Sequence, residues 1–290
     1  MNRSLLLAAA AAAGLYLLTR GKAAMASTTA TGHASAAGLP RHTLMVYSKK
    51  HLDPGWAKVL RNAGMALNWK VMDGTSALRA ADTAAILAEA RAAGVPVEGW
   101  GYHYLRTPAE AAAEGTAAGL LAVKLGLKAY WCDAEKEWAG TEGAPRTANP
   151  EAAALAFIRA FRAAAPNVAL VWNSYSYPKT SDGRPLTTDA VLRAVDAWSV
   201  QTYGTRRKTV ADKTAERAKR AANVGVPFWP LYGTGRRDAQ GQQWGWNQDI
   251  PHFKKMYQLP RVGHFYGAGS LGMLQTGHAG SPSIVSVVAA

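Results

Sequence analysis

The sequence is poor in cysteine and in acidic residues, and both shortages narrow what the protein can be. With Cys132 as its single cysteine, the chain cannot form an internal disulfide or a CxxC metal site. Asp and Glu number 19 against 33 Lys and Arg, which leaves a formal net charge of +14. That balance favours an anionic partner such as nucleic acid, anionic lipid or an anionic cell wall. The basic residues form only short clusters without a nucleic-acid motif, so we expect no nucleic-acid partner.

The N-terminal segment carries an apolar, alanine-rich run at residues 5–18, between a basic start and a small-residue "AMA". This order is typical of an export signal, and the run is shorter than the roughly 20 apolar residues of a stable membrane span. Arg20 and Lys22 directly after it leave an uncleaved anchor as the alternative, similar to the signal-anchor-release segments of some phage lysis enzymes. We predict a signal peptide or anchor at 1–26, a linker at 27–40, and an exported or membrane-tethered protein.

Short apolar stretches then alternate with helix-like stretches along the chain. The predicted strands cover residues 43–48, 67–74, 97–105, 129–138, 168–176, 197–204, 227–233 and 263–269. The predicted helices cover residues 54–64, 80–93, 108–125, 150–164, 187–195, 210–223 and 250–258. Eight strands, each but the last followed by a helix, indicate a (β/α)8 barrel. A doubly wound sheet is the alternative, but it usually has fewer strands and a glycine-rich loop after the first one.

No glycine-rich loop follows the first predicted strand, which runs into "KKHLDPGW". The sequence therefore predicts an α/β fold with one (β/α)8 TIM-type barrel domain over residues 41–276, followed by a tail at 277–290.

The stretch "AYWCDAEKEW" at 129–138 has an aromatic or acidic side chain at every second position: Trp131, Asp133, Glu135 and Glu137. Alternation with period two predicts a strand that places all four on one face. Carboxylates lined up in this way repel each other and are costly to bury, so a structural role alone explains them poorly. A buried ion-pair network with a lysine or arginine of the barrel is the alternative interpretation.

Asp133 and Glu135 form the pair that we expect to carry the chemistry. Two residues apart on a strand, their Cα atoms lie roughly 6.5–7 Å apart, and one strand does not readily place two carboxylates on opposite sides of a glycosidic bond. One of them can donate a proton while the other positions a neighbouring group of the substrate. In an N-acetylated sugar that group is the 2-acetamido, whose carbonyl can attack the anomeric carbon. We also expect Asp133 to raise the pKa of Glu135 and keep it protonated.

Further candidates for substrate binding are polar and aromatic residues near the ends of predicted strands, where barrel enzymes hold their active sites. They are Asp73, Tyr102, His103, Asn173, Tyr175, Gln201, Tyr203 and Tyr232. Among them, Tyr102, Tyr203 and Asn173 are the residues expected to orient the sugar. Trp244 and Trp246 lie in a predicted long loop and are candidates for stacking on a polysaccharide.

Several of these residues have plainer interpretations. Glu137 lies near the predicted strand end, which favours a solvated loop charge. His103 is equally consistent with a core histidine bonded to a backbone carbonyl. A metal site of His103, Asp133 and Glu135 is chemically feasible, but no ligand spacing supports it, so we predict no metal. "GAGSLG" at 267–272 matches a dinucleotide motif in letters only, because no strand–helix–strand unit follows it, and we predict no cofactor.

Four segments, in order along residues 43–270, resemble motifs of the glycoside hydrolase family 25 lysozymes. "KVMDGTS" resembles the family's second-strand segment, and "AAGVPVEGWGYHYL" resembles its third strand. "WCDAEKEW" resembles the Asp-x-Glu of its fourth strand, and "DAWSVQTYG" resembles its sixth. The chitinase-like barrels, with their carboxylate ladder on strand four, are a second family with similar features.

The resemblance implies a role for each matching residue. Glu135 takes the place of the proton donor, Asp133 that of the assisting carboxylate, and Asp73 that of a strand-two acid. Tyr102 and His103 take the place of the pair that lines the sugar site. The sequence departs from the family in its first strand, "LMVYSKK", and its sixth, "SVQTYG", where no acid is present.

We therefore predict a lysozyme-like glycoside hydrolase that cleaves β-1,4 bonds of peptidoglycan or a related N-acetylated polysaccharide. A basic surface suits an anionic wall. The missing first-strand acid leaves a catalytically inactive glycan-binding barrel as one alternative. A phage virion protein that opens the cell wall locally is a second alternative, which differs in where the protein acts.

Overall fold

The computed structural model describes residues 38–52, 54–140, 146–174, 186–202, 207–234 and 259–266. All of these residues belong to one compact unit, His33–Ala290. None of the helices within these ranges is long and apolar enough to cross a membrane. The predicted export or anchor segment at residues 5–18 and the predicted helix at 250–258 lie outside the described residues.

The strands are mostly short and mostly buried on both faces, which is the pattern of a parallel sheet covered by helices. They are β1 His42–Val46, β2 Met65–Asp73, β3 Ser76–Ala77, β4 Val97–His103, β5 Ala129–Ala134, β6 Ala169–Ser174, β7 Ala197–Val200, β8 Leu231–Thr234 and β9 Val262–Tyr266. All pairings in the sheet are parallel except that of β3, a two-residue strand that turns back antiparallel on the end of β2.

Eight parallel strands curl into a nearly closed barrel in the order β7-β6-β5-β4-β2-β1-β9-β8. The two ends of this order meet through parallel bridges that join Trp198 to Phe228 and Gln201 to Leu231. Backbone hydrogen bonds at the same seam, such as Thr202 N to Leu231 O at 2.8 Å, complete the closure. The predicted (β/α)8 barrel is confirmed.

Helices follow most of the strands. They are α1 Trp56–Asn62, α2 Ala80–Ala92, α3 Pro108–Lys124, α4 Lys136–Ala139, α5 Pro150–Ala164, α6 Asp189–Arg193 and α7 Arg207–Val224, with a 3-10 turn at Lys49–His51. The sequence sets several of their ends. Thr107 and Asn149 cap α3 and α5 with side-chain oxygens, and a proline follows each cap. Gly94 and Gly126 stop α2 and α3 with φ of 74° and 59°, a conformation in which glycine costs little.

Apolar side chains form two layers, one inside the barrel and one between the barrel and its helices. The inner layer includes Met45, Trp100, Trp131 and Trp229. The outer layer is larger and packs the helices onto the strands, with Phe157 of α5 among its fully buried side chains. Because side chains alternate along a strand, each barrel strand contributes side chains to both layers. The last inward residue of a strand faces the mouth at the C-terminal end of the barrel.

The fourth barrel strand ends earlier than predicted. β5 stops at Ala134, and Glu135 has φ −120° and ψ −121°, outside the range of a strand. The chain then forms α4, a helix of four residues that contains Glu137. The prediction of one continuous strand over 129–138, with Trp131, Asp133, Glu135 and Glu137 on one face, is therefore wrong beyond Ala134.

Candidate active site

The C-terminal mouth of the barrel brings together two carboxylates and two amides from three neighbouring strands. Asp133 is the last inward residue of β5, and its register partner on β6 is Asn173. Asn173 Nδ2 donates a hydrogen bond to Asp133 Oδ1 at 2.9 Å. Gln201, at the end of β7, donates from Nε2 to the same oxygen at 3.3 Å and also to Glu135 Oε1. One amide thus links the carboxylates of Asp133 and Glu135, which we name the carboxylate pair.

Asp133 is buried, with 5% of its surface exposed. Burial raises the pKa of the Asp133 carboxyl well above its ordinary value, and the nearby charge of Glu135 raises it further. The opposing effects of Lys70 and of the two amide hydrogen bonds are smaller. Asp133 therefore keeps its proton to a higher pH than an exposed aspartic acid does. Since Oδ1 of Asp133 accepts from both amides, Oδ2 is the oxygen that is available to carry a proton.

Glu135 occupies the position before the first residue of α4 and is half-buried. Leaving the strand after Ala134 turns Glu135 toward the amide of Gln201. The predicted closeness of the two carboxyls is present, but the turn in the backbone produces it instead of strand alternation. The pKa of Asp133, the more buried of the two, is raised by burial and by the charge of Glu135. The predicted rise in the pKa of Glu135 stays a prediction.

Glu137 is a site residue that sequence reasoning assigned to the solvent. Its Oε2 accepts a hydrogen bond of 2.6 Å from the hydroxyl of Tyr102, and its side chain is half-buried. Burial and this hydrogen bond raise the pKa of Tyr102, so the phenol remains protonated. Thr147 fixes the position of Glu137, because Thr147 N donates to Glu137 O at 3.2 Å while its hydroxyl donates to Leu105 O at 2.8 Å.

A second polar cluster lies beside the first, on β2 and β4. Lys70 Nζ is 3.1 Å from Asp73 Oδ2, and the Tyr104 hydroxyl donates to Asp73 Oδ1 at 2.6 Å. This hydrogen bond, burial and the Asp73 charge raise the pKa of Tyr104 to about 12. Lys70 Nζ also lies 5.0 Å from the centre of the Trp100 ring. The predicted residue Asp73 thus borders the mouth, accompanied by Lys70 and Tyr104, which the sequence analysis did not select.

A bulge in β2 explains why Lys70 and Asp73 meet. Three residues apart on a regular strand, they would face opposite sides. The register shifts between Lys70 and Met72, so that Lys70 pairs with Trp100 and Asp73 with Tyr102. The extra residue, Val71, returns Asp73 to the same face as Lys70. No local signal in "KVMDG" distinguishes this bulge from a regular strand.

Two predicted substrate-binding residues are placed away from the mouth. His103 is fully buried between barrel and helices, with Nδ1 3.1 Å from Glu114 Oε2 and Nε2 2.8 Å from the Tyr130 hydroxyl. Its burial lowers its pKa. Tyr232 is also fully buried, in the outer layer, with its hydroxyl 3.1 Å from Thr214 Oγ1. The alternation of side chains along a strand places both on the outer face of the barrel, toward the helices. Neither can therefore contact a substrate at the mouth.

The remaining predicted residues are Tyr175, Tyr203, Trp244 and Trp246, which lie outside the described residues and stay predictions. Within the described ranges, no group of three or more His, Cys, Asp or Glu side chains is placed to hold a metal ion. On the first strand, Met45 packs in the inner apolar layer of the barrel. The sequence has no acid on this strand. The mouth therefore combines a carboxyl with a raised pKa, a second carboxyl beside it and fixed amide donors, which suits proton transfer to a bound oxygen.

Comparison with known proteins supports the fold. No model of a known protein family matches the sequence, and no significant relative is found among curated protein sequences. Solved structures with a similar fold include a GH18 chitinase from Pseudoalteromonas aurantia, 12% identical, with a TM-score of 0.55, covering 77% of this chain and 93% of that one. A chitinase from Bacteroides thetaiotaomicron is 8% identical, with a TM-score of 0.55 and coverages of 78% and 89%. An endo-β-1,4-mannanase from Thermotoga petrophila is 12% identical, with a TM-score of 0.56 and coverages of 82% and 70%.

Proposed function

We propose that the protein is a glycoside hydrolase that cleaves β-1,4 bonds of peptidoglycan or a closely related N-acetylated glycan. The observation that carries the proposal is the carboxylate pair at the barrel mouth, where the Gln201 amide donates to both Asp133 and Glu135. The structures of similar fold belong to chitinases and a mannanase, which supports a glycan as the substrate. The ordered resemblance to the family 25 lysozymes favours peptidoglycan among the glycans.

The proposed reaction uses the raised pKa of Asp133 and the closeness of Glu135. In this mechanism Asp133, whose pKa is raised, carries a proton before the substrate binds. When an N-acetylated sugar binds, its acetamido N–H approaches Asp133, which passes its proton to Glu135 and accepts a hydrogen bond from the N–H. Glu135 then protonates the leaving glycosidic oxygen while the acetamido carbonyl oxygen attacks the anomeric carbon. Water opens the resulting cyclic intermediate, and Glu135 takes up the proton that the water loses.

The neighbouring side chains hold this arrangement in place. Asn173 and Gln201 fix Oδ1 of Asp133, which leaves Oδ2 to exchange protons. The Tyr102 hydroxyl, held by Glu137, lies at the end of the adjacent strand and is suited to orient the sugar. Fixed hydrogen-bond donors of this kind cost no reorganisation during the reaction, and for that reason they contribute strongly to catalysis.

The setting that we propose is the cell wall, reached by export or by a membrane tether through residues 5–18. The net charge of +14 would favour association with an anionic wall polymer. A phage-encoded lysis enzyme fits the same features, since an alanine-rich, weakly apolar anchor resembles those of some phage lysis proteins.

The test is reducing-end release from purified peptidoglycan by the wild type, by Glu135→Gln and by a control, Glu89→Gln, on the exposed face of α2. We expect Glu135→Gln to lower kcat by about 10²- to 10⁴-fold, because the amide cannot donate the proton, and Glu89→Gln to match the wild type. Equal release by all three proteins would remove Glu135 from the mechanism.

A glycan-binding barrel without catalysis is the second candidate function. Two features favour it: the first strand has no acid, and the end of β7 carries the amide of Gln201 and no acid. Tight binding to peptidoglycan with no release of reducing ends, unchanged in Glu135→Gln, would establish this function in place of hydrolysis.

A further inference from the structure

A cavity of about 490 Å³ opens beside the barrel mouth. Its walls are the turn at residues 74–76 between β2 and β3, the segment after β4 with Tyr104 and Arg106, and the first turns of α3 with Glu110. Asp73 joins this side cavity to the mouth, because it lines the cavity and is bonded to Lys70 and Tyr104. A substrate bound at the mouth can therefore extend a substituent into the side cavity.

Arg106 is the cation of this cavity. Its guanidinium lies 4.5 Å from the centre of the Tyr104 ring, a stacking contact that holds the planar group in place. Among the residues that the structure describes, Arg106 has no carboxylate within ion-pair distance. Its donors are therefore available to a ligand.

The backbone before Arg106 is held in an unusual conformation. Leu105 is fully buried and has φ 50°, a left-handed conformation that leucine rarely adopts. The Thr147 hydroxyl donates to Leu105 O at 2.8 Å and helps to maintain it. This turn brings Arg106 back over Tyr104 instead of continuing the strand. Strain of this kind persists where the surrounding structure enforces it, and it concentrates at binding sites.

Two of the three carboxylates that line the cavity are engaged by other residues. Asp73 is paired with Lys70 and accepts from Tyr104. Glu114 accepts from the backbone N–H of Tyr104 at 3.1 Å and bonds to His103. Glu110 alone remains exposed at the edge of the cavity. Arg106 and Glu110 are thus the exposed charged side chains of the cavity. Because the carboxylates of Asp73 and Glu114 also line it, the cavity favours a singly charged anion over a phosphate.

We propose that the side cavity binds a carboxylate carried by a substituent of the glycan, with Arg106 as the residue that recognises it. A guanidinium presents two parallel N–H donors that match the two oxygens of a carboxylate. In a peptidoglycan strand such a group is the lactyl carboxylate of the muramic unit, or a carboxylate of the stem peptide attached there. This inference rests on the proposed function, since it assigns a specificity determinant to the same site.

The spacing of the strands is consistent with this assignment. Asp73, Tyr102 and Asp133 are register partners on three successive strands. Neighbouring strands lie about 4.8 Å apart, so the side cavity begins about 10 Å from Asp133. A substituent on a sugar next to the cleaved bond extends over this distance.

The experiment measures binding by calorimetry in the full-length Glu135→Gln chain, which blocks turnover. The probes are peptide-free glycan strands with the lactyl carboxylate, the same strands after reduction of that carboxylate to an alcohol, and strands that keep the stem peptide. Arg106→Gln and Glu110→Gln are then added separately. Near-ultraviolet circular dichroism of each variant checks that the fold is retained.

We expect Arg106→Gln to raise the Kd for peptide-free strands about fivefold to tenfold and to leave the Kd for reduced strands within twofold. Glu110→Gln should lower the Kd for the carboxylate strands, because it removes a like charge. If the effect of Arg106→Gln appears only with the peptide-bearing strands, the bound carboxylate is that of the stem peptide.

An equal effect of Arg106→Gln on carboxylate and reduced strands, or no effect on either kind of carboxylate strand, would overturn the inference. Absence of binding to every probe would overturn it too. A wild type that binds these strands without cleaving them would refute only the proposed hydrolysis. The Kd values for charged and reduced strands would still test whether Arg106 recognises the carboxylate.

Discussion

At the scale of single residues, the site depends on where each carboxyl is relative to water. Asp133 and Glu135 are two positions apart, yet Asp133 is buried within the barrel mouth while Glu135 is half-buried at the start of α4. The pKa of Asp133 is raised by this burial. Two carboxyls in different surroundings can take different roles in proton transfer. The amides of Asn173 and Gln201 provide the fixed donors that make the burial of Asp133 tolerable.

The burial of Asp133 predicts a pH-dependent stability. A carboxyl whose pKa is raised by folding binds more protons in the native state than in the unfolded state. The free energy of unfolding therefore falls as the pH rises from about 4 through the raised pKa. Asp133→Asn removes this pH dependence. We therefore expect the free energy of unfolding of the variant, relative to that of the wild type, to rise between pH 4 and pH 8, by about 1 kcal/mol or more at pH 8.

Urea unfolding of both proteins at pH 4, 6 and 8 measures this difference. Asp82→Asn, in the first turn of α2, serves as the control for an Asp→Asn change elsewhere in the chain. A stability difference between Asp133→Asn and the wild type that is the same at all three pH values would contradict the prediction.

At the scale of elements, close contact between helices fixes the wall behind the site. α3 begins directly after the segment that carries Tyr104 and Arg106, and it packs along α5. The two helices approach closely at Gly115, where a Cβ atom would lie 2.3 Å from the backbone oxygen of Phe157. Backbone atoms cannot yield as a flexible side chain can, so this contact sets the distance between the helices.

Gly115→Ala tests that contact. The added methyl group forces α3 away from α5 at a cost of about 1–3 kcal/mol, which exceeds the gain of up to about 1 kcal/mol from the higher helix propensity of alanine. We expect the free energy of unfolding to fall by about 1–2 kcal/mol. Thr116→Ala, on the exposed side of the same helix, is the matched control and should stay within about 0.5 kcal/mol of the wild type. Equal stability of the two variants in urea unfolding would show that α3 and α5 separate without cost.

At the scale of the whole molecule, polar contacts inside the barrel join strands that are distant in sequence. Glu98 on β4 forms an ion pair with Arg261, the residue before β9. Trp131 on β5 donates from Nε1 to Glu98 at 3.0 Å, and the Arg261 guanidinium lies 5.0 Å from the Trp229 ring. Glu98 and Arg261 are buried, so each requires the other's charge.

Arg261→Met should destabilise the barrel strongly because it leaves Glu98 buried without a cation. We expect the free energy of unfolding to fall by about 3–5 kcal/mol, as for other buried pairs that lose one partner. The double variant Glu98→Gln/Arg261→Met removes both charges and should recover most of this loss. The measurement is urea unfolding of the two variants and the wild type. A double variant less stable than Arg261→Met would show that the ion pair is not the source of the effect.

The sequence by itself determined the (β/α)8 fold and the location of the carboxylate pair. Strand and helix periodicities are local signals, and the structure confirms the barrel that they predict. The caps at Thr107 and Asn149 and the stops at Gly94 and Gly126 are also set by local sequence. The identity of Asp133 as a mouth residue follows from its place near the end of a predicted strand, combined with the general position of active sites in such barrels.

Only the tertiary structure decided which side chains share the mouth. Period two assigns residues to alternate faces, but it does not indicate which face is inside, so His103 and Tyr232 appeared equivalent to Tyr102. β5 ends at Ala134, and the following turn brings Glu137 to Tyr102. Thr147, from a later segment of the chain, donates from its backbone N–H to the Glu137 carbonyl. The bulge that unites Lys70 with Asp73 depends on pairing with β4. Contacts between distant segments set these features, and a single strand's sequence does not contain them.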